Sequence, residues 1–92
     1  MIKSFQHKGL AKLFANGDGR KVQAKHVEKL NLILTLLNAV TGAQQMAAPG
    51  LKLHPLKGKM KGRFAVSVDE NYRVTFTFKD GHAEEVDYGD YH

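Results

Sequence analysis

The spacing of apolar residues predicts two helices in the first forty residues of the chain. Leu10, Leu13 and Phe14 recur at the three- and four-residue spacing of a helix face, and the glycines of "NGDG" at 16 to 19 favour a helix end there. A longer helix is predicted from about 23 to 40, where one apolar stripe is widened by Leu32 and Leu36. That stripe consists of Val27, Leu30, Ile33, Leu34, Leu37 and Val40. The opening "IKSF" is compatible with a short first strand.

After residue 50 the apolar period changes from 3.6 to 2, which predicts strands. Apolar and polar residues alternate over 64–68 and again over 72–78, so these segments form neighbouring antiparallel strands. To set Phe64 against Phe76, the loop between the strands must hold three residues. Asn71 is the natural residue for its left-handed position.

The second hairpin presents a conflict between its turn and its strand. The "DG" at 80 and 81 is typical of a two-residue turn, but that register brings Glu85 and Asp87 to the buried face. Burial determines register more strongly than turn propensity does. We therefore predict a three-residue loop, with Val86 and Tyr88 facing the core.

Together these elements predict an α+β fold in which two N-terminal helices pack on a small antiparallel β-sheet. A chain of 92 residues has no material for a second core, so residues 1–92 are expected to form a single domain. There is no apolar run long enough to cross a membrane, and "MIKSFQHKGL" lacks the apolar segment of a signal peptide. Cysteine is absent, which excludes disulfides and thiolate chemistry and suits a cytoplasmic location.

The charge is divided unevenly along the chain. Residues 1–63 carry twelve Lys and Arg against two carboxylates, whereas residues 64–92 carry two against seven. A basic segment of this kind favours a polyanionic partner, although lysines on helix faces are also commonly just solvated.

Histidine offers the main candidate chemistry. No two of the five histidines have a helical ligand spacing such as HxxxH, so no metal site is predicted. His7, His26 and His82 are interpreted as surface or cap residues. His54 lies in "KLHPLKGKMKGR", where alternating basic residues in an extended chain would form one phosphate-binding ridge, the plain alternative being solubilising charge. This predicted ridge consists of Lys57, Lys59, Lys61 and Arg63.

The ridge histidine and the terminal "DYH" together contain the groups that metal-free RNA cleavage requires. The reaction needs a base for the ribose 2′-hydroxyl, a cation for the pentacoordinate phosphate and an acid for the leaving 5′-oxygen. Imidazole titrates near neutrality and can serve at either end, so the base and the acid cannot be assigned from the sequence.

Four segments carry a resemblance to a known family. The opening "MIKSF", "LHPLKG" at 53 to 58, "SVDENYRVTF" at 67 to 76 and the terminal "DYH" resemble the HigB-type host-inhibition-of-growth toxins of the RelE/ParE superfamily, over the whole chain. The resemblance implies a ribosome-dependent endoribonuclease that cuts mRNA in the decoding site. It also implies a helix-turn-helix antitoxin, of the HigA type, as partner beside the 70S ribosome and mRNA.

The same resemblance implies catalytic roles for individual residues. His54, Asp90, Tyr91 and His92 match the catalytic positions of the family. Lys57 and Arg73 match basic positions near the site, and the strand alternation directs Arg73 away from the core. Asp90 is expected to orient or raise the pKa of an imidazole, and Tyr91 to stack on a base or bond a phosphate.

Two other readings stay open on the sequence. A ParE-like toxin that blocks DNA gyrase by binding alone has the same fold but no need of His54 and His92. A general RNA-binding module is weakened by the lack of an aromatic platform on an exposed strand face.

Overall fold

The computed structural model describes residues 1–90 of the 92-residue chain. Two helices precede a four-stranded antiparallel sheet with strand order β1-β2-β3-β4, which confirms the predicted α+β class. The helices are α1 (Lys8–Asn16) and α2 (Val27–Ala39), and the strands are β1 (His54–Pro55), β2 (Phe64–Ser67), β3 (Tyr72–Lys79) and β4 (His82–Asp90). One-turn 3-10 helices occupy Ala24–His26, Ala43–Met46 and Gly58–Met60.

The core lies between α1, α2 and one face of the sheet. Leu10 and Leu13 of α1 and four residues of α2 are buried against Val66, Val74 and Phe76. Two predicted members of the apolar stripes lie outside it. Leu32 is 62% exposed, and Phe14 is 38% exposed and packs on Phe5 with ring centroids 5.8 Å apart. The stripe is therefore narrower than its apolar residue count suggests.

The N-terminal segment covers the open edge of β4. Ile2 and Phe5 form isolated parallel bridges with Ala83 and Val86, and the Lys3 N–H donates to the Ala83 carbonyl at 2.8 Å. The opening residues, compatible with a short first strand, form isolated bridges to the sheet and no strand. Because an unpaired strand edge is prone to join other chains, this pairing protects β4.

The first hairpin has the predicted register and an unpredicted turn. Phe64 lies opposite Phe76, as a three-residue loop requires. Asn71 does not adopt the left-handed conformation, so that prediction is wrong. Instead the Asp69 carboxylate accepts the N–H groups of Asn71 and Tyr72 at 2.9 and 2.8 Å and closes the loop through its side chain.

The second hairpin contains the two-residue "DG" turn and also buries Val86 and Tyr88. Lys79 pairs with His82 across a two-residue turn, so the predicted three-residue loop is wrong, and Asp80 and Gly81 both have positive φ. The pairing then shifts by one residue between Thr75 and Thr77. This β-bulge, at Glu85 with φ 52°, leaves that side chain exposed and buries Val86 and Tyr88 as predicted.

The backbone groups of the bulged residue are satisfied by distant side chains. The Glu85 N–H donates to Ser4 Oγ at 2.8 Å, and the Glu85 carbonyl accepts from Arg63 Nη2 at 2.7 Å. An unpaired backbone group would otherwise penalise the bulge. The bulge is therefore stabilised both by the N-terminal segment, through Ser4, and by Arg63, the residue that precedes β2.

The predicted surface or cap histidines fall into different environments. His7 is a cap, since its Nδ1 accepts the Leu10 N–H at 3.1 Å. His26 occupies the N-cap position of α2, but its side chain makes no capping hydrogen bond and is only 3% exposed, so its interpretation as a surface residue is wrong. No helix formed by residues 1–90 is long and apolar enough to cross a membrane.

Candidate active site

The candidate site lies on the sheet face that points away from the helices. Strand alternation and register place His54, Ala65, Thr75 and Asp87 in one row across all four strands on this face. A second row on the same face, two residues away along each strand, contains Ser67, Arg73 and Gly89. The predicted outward direction of Arg73 is thereby confirmed.

The His54 imidazole is held in one tautomer. Its Nδ1 lies 2.9 Å from the Lys52 carbonyl oxygen, which only accepts hydrogen bonds, so Nδ1 carries a proton. Lys52 has φ 52°, a left-handed backbone conformation uncommon for a residue with a side chain. In the neutral ring the lone pair therefore resides on Nε2, which makes that nitrogen a proton acceptor.

Arg73 places a partly exposed cation on the same face as His54. It is partly buried, and its Nη1 donates to Ser67 Oγ at 3.3 Å across the β2–β3 pair. From strand spacing and rise, the Cα atoms of His54 and Arg73 are about 12 Å apart. Both side chains are long enough to approach one phosphate group from two sides.

Arg63, predicted as part of the basic ridge, is engaged within the fold. Its side chain is 11% exposed, and Nη2 donates to Thr75 Oγ1 at 2.8 Å as well as to the bulge carbonyl. The Arg63 Nη1 lies 3.8 Å from the Glu85 carboxylate. This arginine lies across the sheet and joins its strands, unlike the lysines that precede it.

The three lysines of the predicted ridge lie around a tight turn. Lys57, Lys59 and Lys61 are exposed, but the 3-10 helix Gly58–Met60 replaces the extended chain that would align them in one row. None of the three forms an ion pair with a carboxylate of residues 1–90. We call these three residues the lysine turn; it is a local concentration of uncompensated positive charge.

Asp90 lies at the far end of the sheet. It is exposed, ends β4 and pairs with Tyr72, so strand alternation directs it to the opposite side from His54. The Cα atoms of Asp90 and His54 are about 17 Å apart by strand spacing and rise. Tyr91 and His92, also predicted as catalytic, lie outside the described residues.

Sequence reasoning missed two polar residues of this face. Ser67 contacts Arg73, and Asp87 shares the row of His54. The alternation of β2 and β4 indicated that both residues face outward, but which residues lie beside them depends on the register across three strand pairs.

Within residues 1–90 no three His, Asp or Glu side chains are grouped so that they could hold a metal ion.

Solved structures establish the class of this fold. It matches the YoeB/ParE toxin from Agrobacterium tumefaciens with a TM-score of 0.66, 17% identity and all of both chains covered. It also matches the YoeB–YefM complex from Staphylococcus aureus with a TM-score of 0.61 and 20% identity, covering 100% of this chain and 98% of that one. The protein thus has the fold of small bacterial toxins.

Sequence comparison identifies the particular family. The profile of the HigB-like toxins, RelE-like toxins of type II toxin-antitoxin systems, matches residues 3–92. Endoribonuclease HigB of Proteus vulgaris is 41% identical over 92 residues, all of both chains. The chain belongs to the HigB-like toxin family, which confirms the resemblance predicted from the sequence and brings with it an antitoxin partner.

Proposed function

We propose that this toxin is a metal-independent endoribonuclease that cuts mRNA on the ribosome by attack of the ribose 2′-hydroxyl on the adjacent phosphate. The observation that carries the proposal is the placement of the tautomer-locked His54 and of the partly exposed Arg73 on the same face of the sheet. The full-length similarity to a protein named an endoribonuclease supports the same activity.

His54 acts as the general base in the proposed reaction. With Nδ1–H donated to the Lys52 carbonyl, Nε2 accepts the proton of the 2′-hydroxyl as its oxygen attacks phosphorus. The hydrogen bond to Lys52 also stabilises the imidazolium that forms. We therefore propose His54 as the base, a role that the sequence alone left open between the two histidines.

Arg73 stabilises the charge that develops on the phosphate. Its guanidinium, oriented by Ser67, offers several donors to the equatorial oxygens of the pentacoordinate state, and Lys57 adds a second cation. Lys59 and Lys61 attract the flanking phosphates, whereas Arg63 is held within the fold by Thr75 and the Glu85 carbonyl.

The leaving 5′-oxygen takes a proton from His92, which completes the reaction. The products are a 2′,3′-cyclic phosphate and a 5′-hydroxyl, and His54 and His92 exchange protonation states in the process. Asp90 adjoins the terminal segment and lies far from His54, so we assign it to the His92 imidazole. Tyr91 is proposed to stack on a base.

The small size of the domain supports dependence on the ribosome. A chain of 92 residues has little material for a deep substrate cleft, and His54 does not line the cavities of about 370 and 450 Å³ beside Tyr88 and Leu32. A site without a deep cleft needs another body to hold the RNA in attack geometry, and such positioning contributes roughly 7–11 kcal/mol. The 70S ribosome engaged with mRNA supplies it, which implies a cytoplasmic site of action.

A helix-turn-helix antitoxin of the HigA type is the proposed cognate partner. It neutralises the toxin by covering the lysine turn and the adjoining face, or by keeping the toxin off the ribosome. Co-purification with the product of the neighbouring gene tests this, and a product that does not bind would contradict it.

Primer extension on an mRNA incubated with the purified protein, with and without ribosomes, tests the activity. We expect cuts only on translated mRNA, and we expect His54→Ala to lose them. His82→Ala is the matched histidine control, because His82 lies at the other end of the β3–β4 hairpin, about 20 Å from Arg73. Equal cleavage of bare mRNA contradicts ribosome dependence, and growth arrest without any cleavage favours a ParE-like blocking toxin.

A further inference from the structure

A buried polar network connects three elements beside the end of β4. The His26 ring, 3% exposed, lies with Nδ1 2.6 Å from the Tyr88 hydroxyl and with Nε2 2.6 Å from the Asp69 carboxylate. These residues come from the 3-10 helix that precedes α2, from β4 and from the β2–β3 loop. The surrounding core residues are otherwise almost all apolar.

The hydrogen bonds of this network run in one direction. N–H groups of Tyr72 and Asn71, together with His26, hold the pKa of Asp69 well below its usual range, so the carboxylate is ionised and accepts from Nε2–H. In the neutral ring that carries Nε2–H, Nδ1 accepts from the Tyr88 hydroxyl, which in turn accepts the Gln23 N–H at 3.4 Å. Burial raises the pKa of Tyr88 and keeps its hydroxyl protonated.

The network surrounds the base of the C-terminal segment. Asp69 binds the backbone of Tyr72, which pairs with Asp90, and through His26 it also holds Tyr88, two residues before Asp90. The Tyr72 and Tyr88 rings lie 5.3 Å apart, and His26 packs on Tyr72 at 4.9 Å. One carboxylate thus contacts the cross-strand partner of Asp90 directly and, through His26, the residue two positions before Asp90 on β4.

A polar network of this kind is a costly way to fill a core. Buried polar groups destabilise a fold unless all of them are satisfied, and apolar side chains of similar volume often stabilise it as well or better. What a satisfied network provides is directional restraint, because its geometry is correct in only one arrangement. Such restraint is useful at the end of β4, because Asp90, a proposed catalytic residue, lies there.

We propose that His26, Asp69 and Tyr88 are positioning residues that fix the end of β4, and with it the start of the catalytic C-terminal segment at Asp90. The proposal rests on the proposed nuclease function for its consequence in catalysis. The proposal predicts that removing a hydrogen bond of the network displaces catalytic groups of the C-terminal segment that do not contact the network. A displacement of about 1 Å can reduce a catalytic rate roughly a hundredfold.

Tyr88→Phe tests the proposal because it removes only the network hydroxyl. Tyr72→Phe is the matched control, since it removes a hydroxyl outside the network from the neighbouring ring. In the free, full-length protein we expect amide hydrogen exchange at residues 88–90 to rise roughly fivefold to tenfold in Tyr88→Phe alone. Unchanged exchange there overturns the proposal whatever the enzyme does.

The catalytic consequence is measured by single-turnover cleavage on mRNA-programmed ribosomes, well below the melting temperature of each variant. We expect Tyr88→Phe to cleave roughly 10- to 100-fold more slowly at saturating protein, with an unchanged half-saturating concentration. A full cleavage rate in a destabilised but folded Tyr88→Phe protein assigns the network to stability only and also overturns the proposal.

A second pair of variants tests the role of the histidine. His26→Gln retains one donor and one acceptor, whereas His26→Leu retains neither, so Gln is expected to preserve more of the rate. Equal rates for the two overturn the proposal. Altered exchange in Tyr88→Phe, together with an intact protein that cuts no mRNA on ribosomes, supports the restraint at β4 and refutes the proposed function.

Discussion

Arg63 offers a sharp test of whether a basic residue of the predicted ridge binds phosphate or supports the fold. Replacing Arg63 with Met keeps much of the side-chain volume and removes the guanidinium. Thr75 Oγ1, in a residue 1% exposed, and the Glu85 carbonyl at the bulge then lose their donor. The variant therefore removes the interaction that satisfies the irregular part of the sheet.

The size of the effect follows from those two contacts. A hydrogen bond from a charged donor contributes about 1.5–3 kcal/mol, in full for the buried hydroxyl and only partly for the more exposed carbonyl. The Glu85 carboxylate, 56% exposed and 3.8 Å away, adds little. We expect a loss of roughly 2–4 kcal/mol of unfolding free energy, which lowers the melting temperature by roughly 8–30 °C in a domain of this size.

Thermal and urea denaturation measure this loss, and two variants provide comparisons. Arg63→Lys keeps the charge without the forked geometry and should recover only part of the stability. The triple Gln variant of the lysine turn should melt like the intact protein, because those side chains make no ion pair within residues 1–90. If Arg63→Met melts within about 2 °C of the intact protein yet loses ribosome binding, the supporting role assigned to Arg63 is wrong.

Three further predictions concern catalysis, RNA contact and acid stability. His54→Ala and His92→Ala should each lower cleavage roughly 10²–10⁴-fold with little change in melting temperature, and the double variant should lose less than the product, as single-turnover rates will show. Each Lys→Gln change in the lysine turn should flatten the log–log salt dependence of ribosome binding by about 0.7–0.9; an unchanged slope means those lysines are only solvated. Because the folded-state pKa of Asp69 is depressed, its stabilisation is present above the usual carboxyl pKa and is lost as the pH falls below about 5. Melting temperatures measured from pH 7 to pH 2.5 should therefore fall less in Asp69→Asn than in Asp80→Asn, which serves as the control; equal slopes contradict the assignment.

The sequence by itself determined which residues face the core of this protein. Alternation along 72–78 and 86–88 was enough to direct Val86 and Tyr88 inward and Arg73 outward, because strand periodicity and burial act on each residue locally. The four family motifs also carried the toxin assignment, which the family match confirms, and the prediction that His54 is catalytic.

Only the tertiary structure decided how the local conflicts were resolved. The "DG" turn and the burial of Val86 coexist because a bulge adds one residue, and its backbone groups are satisfied by Ser4 and Arg63, 81 and 22 residues away in sequence. His26 is buried for the same kind of reason, since its partners Asp69 and Tyr88 lie 43 and 62 residues away. Polar groups are satisfied by whatever the fold brings near, and no periodicity in the sequence records those pairings.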